Sequence, residues 1–195
     1  MNLKNQCEKI NLNFDEKFYE NCNKFIQTLQ EWGKIHNLSA ELETQKIEKN
    51  IMDSIYPLSF LDSFESFADI GTGAGYPGLI LAMAKPEVKA YLIEPRAKRV
   101  AFLNFIKNSL KLANVEIICN RIENVQEIKV DLFTSRAVTN TALLMELTKN
   151  LSSENTSFLF YKGSMLKSEL ENAKIKNYKI YPVNERNYLY IKGQK

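Results

Sequence analysis

The chain has 195 residues, of which 45% are hydrophobic and 25% are charged, and its formal net charge is +3. This length suits one α/β domain with its own core, and the small positive charge permits nucleic-acid binding without establishing it. The longest apolar runs, such as residues 79–84, are too short to span a membrane. Residues 1–15 are polar and show no signal-peptide core. The cysteines at 7, 22 and 119 and the single histidine lack metal-ligand spacing, so we expect free thiols, a cytoplasmic protein and no metal.

Two amphipathic helices are predicted before the first strand. Residues 15–35 and 43–56 carry apolar side chains three and four residues apart, and the second helix stops before Pro57. Such stripes more often pack on a neighbouring layer of the same protein than bind a separate partner. We therefore predict a helical extension over residues 1–62, packed on a main domain formed by residues 63–195.

Strand and helix patterns alternate through the rest of the chain. Short apolar runs predict seven strands, at residues 67–70, 88–93, 115–119, 130–134, 158–161, 179–183 and 188–192. Helical spacing predicts helices at residues 77–84, 97–112, 141–151 and 164–172. Alternating β and α units imply an α/β fold with a mostly parallel seven-stranded sheet and helices on both faces. The last two strands flank a turn at residues 184–187 and are expected to form an antiparallel hairpin.

Four glycines lie within eight residues between the first strand and the next helix, at Gly71, Gly73, Gly75 and Gly78. A strand, a glycine turn and a helix N-terminus form a site for a nucleotide-like ligand, because glycine lets a ligand approach the backbone closely. The alternative is a tight turn without a ligand. Asp69 stands before the first glycine, an order typical of S-adenosylmethionine-dependent enzymes, where it could bind the amino group of the methionine part directly or through water. We therefore assign Asp69, Gly71, Gly73 and Gly75 to cofactor binding.

A second acidic residue, Glu94, ends the next predicted strand. Its spacing from the glycines suits a carboxylate that accepts hydrogen bonds from ribose hydroxyls. The alternative is an ion pair on the surface with Arg96 or Lys98, a common contact that contributes little energy. We assign Glu94 to the ribose of the cofactor.

Further polar or apolar groups follow the next three strands, at the sheet edge where ligands bind. Ile122 and Glu123 could flank an adenine, although Glu123 could instead be an ordinary carboxylate at a helix start. Arg136 follows the fourth strand, where a methyl-bearing sulfur should point, and we assign it as the catalytic residue. Alternatively, Arg136 braces the rim through Asp131 or Glu123. Lys162 ends the fifth strand, either at the site or as a solvated strand end.

Several catalytic patterns are absent from the sequence. It has no Gly-x-Ser-x-Gly elbow, no Cys–His arrangement and no Gly-Lys-Ser phosphate loop. Hydride transfer to or from a carbonyl usually needs a proton relay at the substrate, and none is evident. Methyl transfer to a ring nitrogen such as guanine N7 needs no general base, because the nitrogen has a lone pair and no proton. Placement then carries most of the rate effect, so the sequence permits N7 chemistry without selecting it.

Seven segments occur in a characteristic order with characteristic gaps, at residues 37–40, 53–54, 69–78, 98–103, 120–123, 135–137 and 162–163. Together they resemble the RsmG (glucose-inhibited division protein B) family of bacterial 16S rRNA guanine-N7 methyltransferases. The resemblance implies a Rossmann-like class I methyltransferase fold, S-adenosylmethionine as donor and N7 of guanine 527 (RNA numbering) as acceptor. It also implies 16S rRNA or a small-subunit assembly intermediate as the partner, and we expect a monomer.

The resemblance implies roles for particular residues. Cofactor contacts carry over to Gly71, Tyr76, Ile122, Glu123 and Arg136, with Glu94 as the ribose acid. Lys98, Arg99 and Lys162 are similar to basic residues that meet RNA or line the site. Without the resemblance, Lys98 and Arg99 would be interpreted, together with Arg96, as a solvated basic surface.

The chain departs from the family pattern at four residues. Lys49-Asn50 replaces a frequent Arg-His pair, Tyr76 replaces Phe or Leu, and Pro95 replaces a frequent Ser and so removes one N–H donor. The segment after Gly163 supports no assignment. Two other functions stay open: a nicotinamide-dependent dehydrogenase, and a non-catalytic RNA-binding module with a vestigial pocket. The modest net charge of +3 argues against RNA binding by electrostatics alone.

Overall fold

The structure is a computed structural model that describes residues 2–36, 41–173, 175 and 177–193. Its frame is a seven-stranded mixed sheet in the order β3-β2-β1-β4-β5-β7-β6. The strands are β1 (Ser66–Ile70), β2 (Lys89–Ile93), β3 (Val115–Ile118), β4 (Leu132–Arg136), β5 (Ser157–Lys162), β6 (Tyr178–Val183) and β7 (Arg186–Ile191). The first five strands are parallel, and β7 runs antiparallel between β5 and β6. This architecture confirms the predicted fold class.

Seven α-helices accompany the sheet in the described part of the chain. They are α1 (Leu3–Lys9), α2 (Glu16–His36), α3 (Thr44–Ile55), α4 (Gly78–Ala84), α5 (Ala97–Leu110), α6 (Thr141–Thr148) and α7 (Leu166–Ala173), with short 3₁₀ turns at Tyr56–Ser59 and Ile122–Asn124. Helix α1 was not predicted from the sequence. Its start is marked by Asn2, whose side chain accepts a hydrogen bond from the Lys4 N–H at 2.9 Å.

Two element ends differ from the prediction in ways that matter. Strand β4 begins and ends two residues later than predicted, because its pairing with β5 continues to Arg136 opposite Tyr161. Arg136 is therefore a strand residue whose direction is set by the pleat. Helix α6 stops at Thr148, and the next residues form a turn in which the Leu151 N–H donates to the Thr148 carbonyl at 2.9 Å.

The pleat divides the core into two apolar clusters, one on each face of the sheet. Phe67 of β1 and Leu132 of β4 belong to the cluster that is shared with helices α1 to α5. Ala68 and Phe133, the next residues along the same strands, belong to the cluster shared with α6 and α7. Because alternate residues share a face, the position of each polar strand residue follows from its parity along the strand.

The strand order reverses between β1 and β4. The chain runs outward from β1 through β2 to β3, then returns to place β4 on the other side of β1. The connections after β1 and β4 leave the sheet in opposite directions, which opens a crevice at the carboxyl ends of these strands. The glycine turn and Arg136 both lie at this point.

Candidate active site

The glycine turn joins β1 to α4 through a backbone that L side chains rarely adopt. Gly71 has φ +68° and Gly73 has φ +62°, both in the left-handed region. A Cβ on Gly71 would come within 2.6 Å of a Val138 methyl group, whereas one on Gly73 would meet nothing closer than 3.8 Å. The turn is therefore closed beside Gly71 and open beside Gly73, where a ligand can approach the backbone.

Asp69 supports the turn from below. Its side chain has no exposed surface, and its two oxygens accept hydrogen bonds from the Gly78 N–H at 2.9 Å and from the Thr134 hydroxyl at 2.8 Å. The first bond caps the N-terminus of α4, where Pro77 offers no side-chain donor or acceptor. Burial raises the pKa of Asp69 to about 6, against the opposing effect of these hydrogen bonds. The carboxylate thus shapes the turn from within the protein, and its predicted contact with the cofactor stays a prediction.

Glu94 joins the end of β2 to the glycine turn. One carboxylate oxygen accepts from the Gly73 N–H at 3.0 Å and from the Arg99 guanidinium at 3.4 Å, and the other accepts from the Arg96 N–H at 2.9 Å. Only 2% of Glu94 is exposed. The alternative of an exposed pair with Arg96 or Lys98 is therefore wrong: the ion pair is with Arg99, and the carboxylate is buried.

Ile122 and Glu123 lie in the 3₁₀ turn that follows β3. Ile122 is buried, whereas Glu123 is exposed and lies 3.8 Å from the Arg121 guanidinium. An exposed pair at that distance contributes little energy. Ile122 therefore offers a buried apolar group after β3 while Glu123 faces solvent, and their contacts with adenine stay a prediction.

Arg136 ends β4 on the face that carries α3. Its Nη1 donates to the Asn50 side-chain oxygen at 2.9 Å and to an Asp53 oxygen at 3.1 Å. The guanidinium carbon lies 4.8 Å from the centre of the Tyr76 ring. This ring is buried against Phe25 of α2, with the two ring centres 5.5 Å apart. The glycine turn is thereby joined to Arg136 through an aromatic side chain.

The alternative bracing of Arg136 through Asp131 or Glu123 is wrong. The Asp131 carboxylate instead accepts from the Glu65 and Ser66 N–H groups, at 2.8 and 3.0 Å, at the start of β1. Glu123 pairs with Arg121. The catalytic assignment of Arg136 stays a prediction, but its actual partners come from the N-terminal helices.

The three predicted RNA-binding cations have different environments. Lys98 is exposed, and Arg99 is partly exposed beside Glu94. Only 8% of the Lys162 side chain is exposed, and its ammonium donates to the Thr139 carbonyl at 2.9 Å and to Glu169 at 2.8 Å. The alternative of a solvated strand end is wrong for Lys162. Its RNA contact stays a prediction, but here the ammonium holds α7 and the loop after β4 together.

The structure adds residues that sequence reasoning missed. Asn50, Asp53 and Arg186 surround Arg136 or its partner, and Glu169 binds Lys162. The sequence carried two signals for this set, since Asp53 was part of a segment that resembles a family and Asn50 stood where the chain departs from that family's pattern. Arg186 stood inside a predicted turn and carried no such signal.

No group of three or more histidine, cysteine, aspartate or glutamate side chains in the described residues could hold a metal ion. No described helix is both long and apolar enough to cross a membrane. The cysteines at positions 7, 22 and 119 carry free thiols.

A family model named GidB and described as rRNA small subunit methyltransferase G matches residues 18–191. The chain belongs to the GidB family. A relative from Aliarcobacter butzleri (strain RM4018), named Ribosomal RNA small subunit methyltransferase G, is 62% identical over 191 residues, which are 98% of either chain. A relative of the same name from Wolinella succinogenes is 44% identical over 191 residues, again 98% of either chain.

Solved structures that resemble this GidB-family chain agree on the fold. A methyltransferase from Geobacter sulfurreducens has a TM-score of 0.63 at 12% identity, covering 88% of this chain and 89% of its own. A SAM-dependent methyltransferase from Aquifex aeolicus has a TM-score of 0.58 at 18% identity, covering 77% and 100%. At such low identity the likeness concerns the fold alone, and it confirms the predicted class I methyltransferase fold. The predicted family is also confirmed, although residues 37–40 of the resemblance lie outside the described residues.

Proposed function

We propose that this protein transfers a methyl group from S-adenosylmethionine to N7 of guanine 527 in 16S rRNA, in the cytoplasm. The proposal is carried by the open glycine turn at the switch point, where Glu94 holds Gly73 and Arg136 lies on the adjacent strand. Membership of the GidB family, described as rRNA small subunit methyltransferase G, supports the substrate class. The choice of guanine 527 and of N7 rests on the sequence resemblance.

The rim of the crevice fits the methyl donor. When bound, S-adenosylmethionine supplies an electrophilic methyl group on a sulfonium. The open side of Gly73 lets the ligand lie against the backbone. Glu94 accepts three hydrogen bonds, and an ionised carboxylate has about four acceptor positions, so one remains for a ribose hydroxyl. Ile122 supplies an apolar edge for the adenine, with Glu123 beside it, while Asp69 acts through the turn that it caps.

The acceptor side requires placement rather than proton transfer. Guanine N7 has a lone pair and no proton, so no side chain has to remove one. Within the described residues, both hydrogen bonds of Arg136 start at Nη1. Its Nε and Nη2 groups are then the donors that orient the incoming base, with the guanidinium held over Tyr76. The buried floor under Arg136 keeps water from that side of the reacting atoms.

The RNA contacts are proposed on the exposed side of the rim. Lys98 and Arg99 lie in the first turn of α5, directly beyond Glu94, where phosphates flanking the target guanine would pass. Lys162 would join them if RNA displaced Glu169 from its ammonium. The substrate is 16S rRNA or a small-subunit assembly intermediate, bound by one copy of the chain.

The proposal is tested with small ribosomal subunits from a strain that lacks the modification. Purified protein and S-adenosylmethionine are added, and N7-methylguanine is mapped by chemical cleavage of the rRNA. We expect modification at guanine 527 with the wild type and its loss with Arg136→Ala. Calorimetry should show binding of S-adenosylmethionine and not of NAD.

Three outcomes would contradict the proposal. Modification at another base, or none, would refute the assigned acceptor. Binding of NAD without S-adenosylmethionine would favour a dehydrogenase, and rRNA binding without methyl transfer would favour a non-catalytic module. If Arg136→Ala raised the KM for the subunits and left kcat unchanged, Arg136 would be a docking residue rather than the catalytic one.

A further inference from the structure

Asp53, on α3, binds donors from two strands that lie far from it in sequence. Its Oδ1 accepts from Arg186 Nε at 2.9 Å and from the Tyr188 hydroxyl at 3.0 Å. Its Oδ2 accepts from Arg186 Nη2 at 3.0 Å and from Arg136 Nη1 at 3.1 Å. Only 13% of the Asp53 side chain is exposed. One carboxylate thus holds two guanidinium groups and one phenol, and the three residues with Asp53 are called the Asp53 cluster below.

The pleat explains why these side chains meet. Tyr161 of β5 and Tyr188 of β7 belong to the apolar cluster on the face that carries α1 to α5. Arg136 lies opposite Tyr161 in the β4–β5 register, and Arg186 lies two residues before Tyr188, so both point to that same face. Helix α3 packs there, and the Tyr161 hydroxyl donates to the Ser54 carbonyl at 2.7 Å. Asp53 is consequently set directly against both arginines.

We propose that Asp53 is a positioning residue for Arg136, and that Arg186 of the C-terminal hairpin fixes the carboxylate that does so. The inference rests on the proposed function, because it assigns a purpose to the orientation of Arg136. An arginine side chain at a strand end has many rotamers, and fixing it in one of them costs conformational entropy. Asp53 and Asn50 hold Nη1, and the Tyr76 ring faces the guanidinium carbon. The Arg136 side chain is therefore already fixed in one orientation before the substrate binds.

Arg186 supplies the rigidity that one hydrogen bond cannot. Its Nε and Nη2 bind one oxygen each, and such a fork fixes the plane of a carboxylate as well as its position. With both oxygens held by Arg186, Asp53 cannot rotate to follow Arg136 outward. This explains why a hairpin at the far end of the sheet carries an arginine at this position.

The competing interpretation is a purely structural ion pair that fastens the N-terminal helices to the sheet. The chain offers a matched control for it. Asp62, also in the N-terminal extension, pairs with Lys192 at 2.9 Å and accepts from the Tyr190 hydroxyl at 3.3 Å, at the other end of β7. Asp62→Asn removes a carboxylate that joins the same two parts of the chain, without touching Arg136.

The test compares three variants, Asp53→Asn, Arg186→Lys and Asp62→Asn, in the full-length protein. We measure kcat and KM on small ribosomal subunits, the Kd for S-adenosylmethionine, and the melting temperature. Asp53→Asn should lower kcat about tenfold or more, since displacement of a group at the reacting atoms is costly. The Kd for S-adenosylmethionine should stay within about threefold of wild type for this variant, because Asp53 contacts neither the glycine turn nor Glu94, which hold most of the donor. Asp62→Asn should leave kcat within about twofold, as expected for an exposed pair.

The variant Arg186→Lys distinguishes a role of Arg186 in orienting Asp53 from a role in balancing its negative charge. Lysine keeps the positive charge and cannot form the fork, so positioning requires a lower kcat, whereas a role in charge balance alone leaves kcat at the wild-type value. This variant also carries the test if Asp53→Asn does not fold.

A readout that needs neither cofactor nor RNA completes the test. The guanidinium NH signals of Arg136, assigned by their loss in Arg136→Lys, are followed by NMR. We expect the guanidinium group of Arg136 to rotate slowly in the wild type and fast in Asp53→Asn and Arg186→Lys. Unchanged rotation, or equal losses of kcat in Asp53→Asn and Asp62→Asn, would overturn the inference. If guanine 527 is not methylated while rotation still changes, the proposed function fails and the positioning of Arg136 stands.

Discussion

The glycine turn and the Asp53 cluster are two regions built on buried carboxylates that do different work. Asp69 accepts from the N–H of Gly78, 9 residues after it, and Glu94 accepts from the N–H of Gly73, 21 residues before it. Asp53 accepts side-chain donors 83 and 133 residues away. A carboxylate bound to backbone amides fixes the shape of a turn, whereas one bound to arginines fixes the direction of mobile side chains. Damage to the first region should appear as lost stability or donor affinity, and damage to the second as lost turnover.

The largest effect is expected at Asp69. Asp69→Ala removes the partner of two buried donors, the Gly78 N–H and the Thr134 hydroxyl, and opens a small cavity. Each unsatisfied group costs roughly 1–3 kcal/mol, so we expect the free energy of unfolding in urea to fall by about 3 kcal/mol. A fall below about 0.5 kcal/mol would show that the cap is not needed to hold the turn.

The same carboxyl group predicts a pH dependence. Its pKa is raised from 3.8 to about 6 by burial, so the folded state holds this proton more tightly than the unfolded state does. The sign follows: the contribution of Asp69 to stability is present below about pH 4 and is lost as pH rises to about 6. Subtracting the urea-unfolding profile of Asp69→Asn from that of the wild type should isolate this decline, and a flat difference would contradict it.

A smaller effect is expected at Glu94, in donor affinity. Glu94→Gln keeps the shape of the side chain and removes the charge that faces the Gly73 N–H. A hydrogen bond to a charged group is worth roughly 1.5–3 kcal/mol, so the Kd for S-adenosylmethionine should rise at least about tenfold in calorimetry. Glu116→Gln, which changes an exposed carboxylate paired with Lys89 at 2.9 Å, is the control and should leave the Kd unchanged.

Tyr76→Phe should have a small effect of opposite sign. The Tyr76 hydroxyl is buried and has no hydrogen-bond partner in the part of the chain that the structure describes. Removing an unsatisfied buried hydroxyl should raise the free energy of unfolding by up to about 1 kcal/mol. The ring under Arg136 is kept, so turnover should be unchanged, and a loss of turnover would reveal a role for the hydroxyl itself.

The smallest effect is expected at the exposed Lys98. Lys98→Met should weaken rRNA binding and reduce the slope of log K against log salt by about 0.7–0.9, the value for one phosphate contact. Lys89→Met, at the opposite end of the parallel strands, should leave the slope unchanged. Equal slopes for Lys98→Met and the wild type would remove Lys98 from the RNA-binding set.

Prediction from sequence succeeded where the signal was local. The period of apolar residues gave all seven strands and six of the helices, because burial of one face imposes that period. It missed α1, a short helix at the edge of the core. The glycine turn was predicted correctly as a link between β1 and α4, since glycine at these positions answers a local backbone requirement.

Sequence reasoning did not identify hydrogen-bond partners that come from distant segments of the chain. For Lys162 the alternative of a solvated strand end was wrong, because its ammonium is buried on Glu169, while its RNA contact stays a prediction. For Arg136 the alternative of bracing through Asp131 or Glu123 was wrong, because it pairs with Asp53, while its catalytic role stays a prediction. The charge of an arginine or lysine does not determine which carboxylate it pairs with, because the pairing depends on the face of the sheet on which the cation lies.

By itself, then, the sequence determined the order of elements, the fold class, the family and the glycine turn with its acidic neighbours. Each of these features depends on the spacing of residues along the chain or on the backbone conformation that a short segment must adopt. Only the tertiary structure decided that β7 lies between β5 and β6, which brings Arg186 across the sheet to Asp53. Only it decided which oxygen each buried cation meets, because a partner 83 or 133 residues away is chosen by the register of the sheet and the packing of α3.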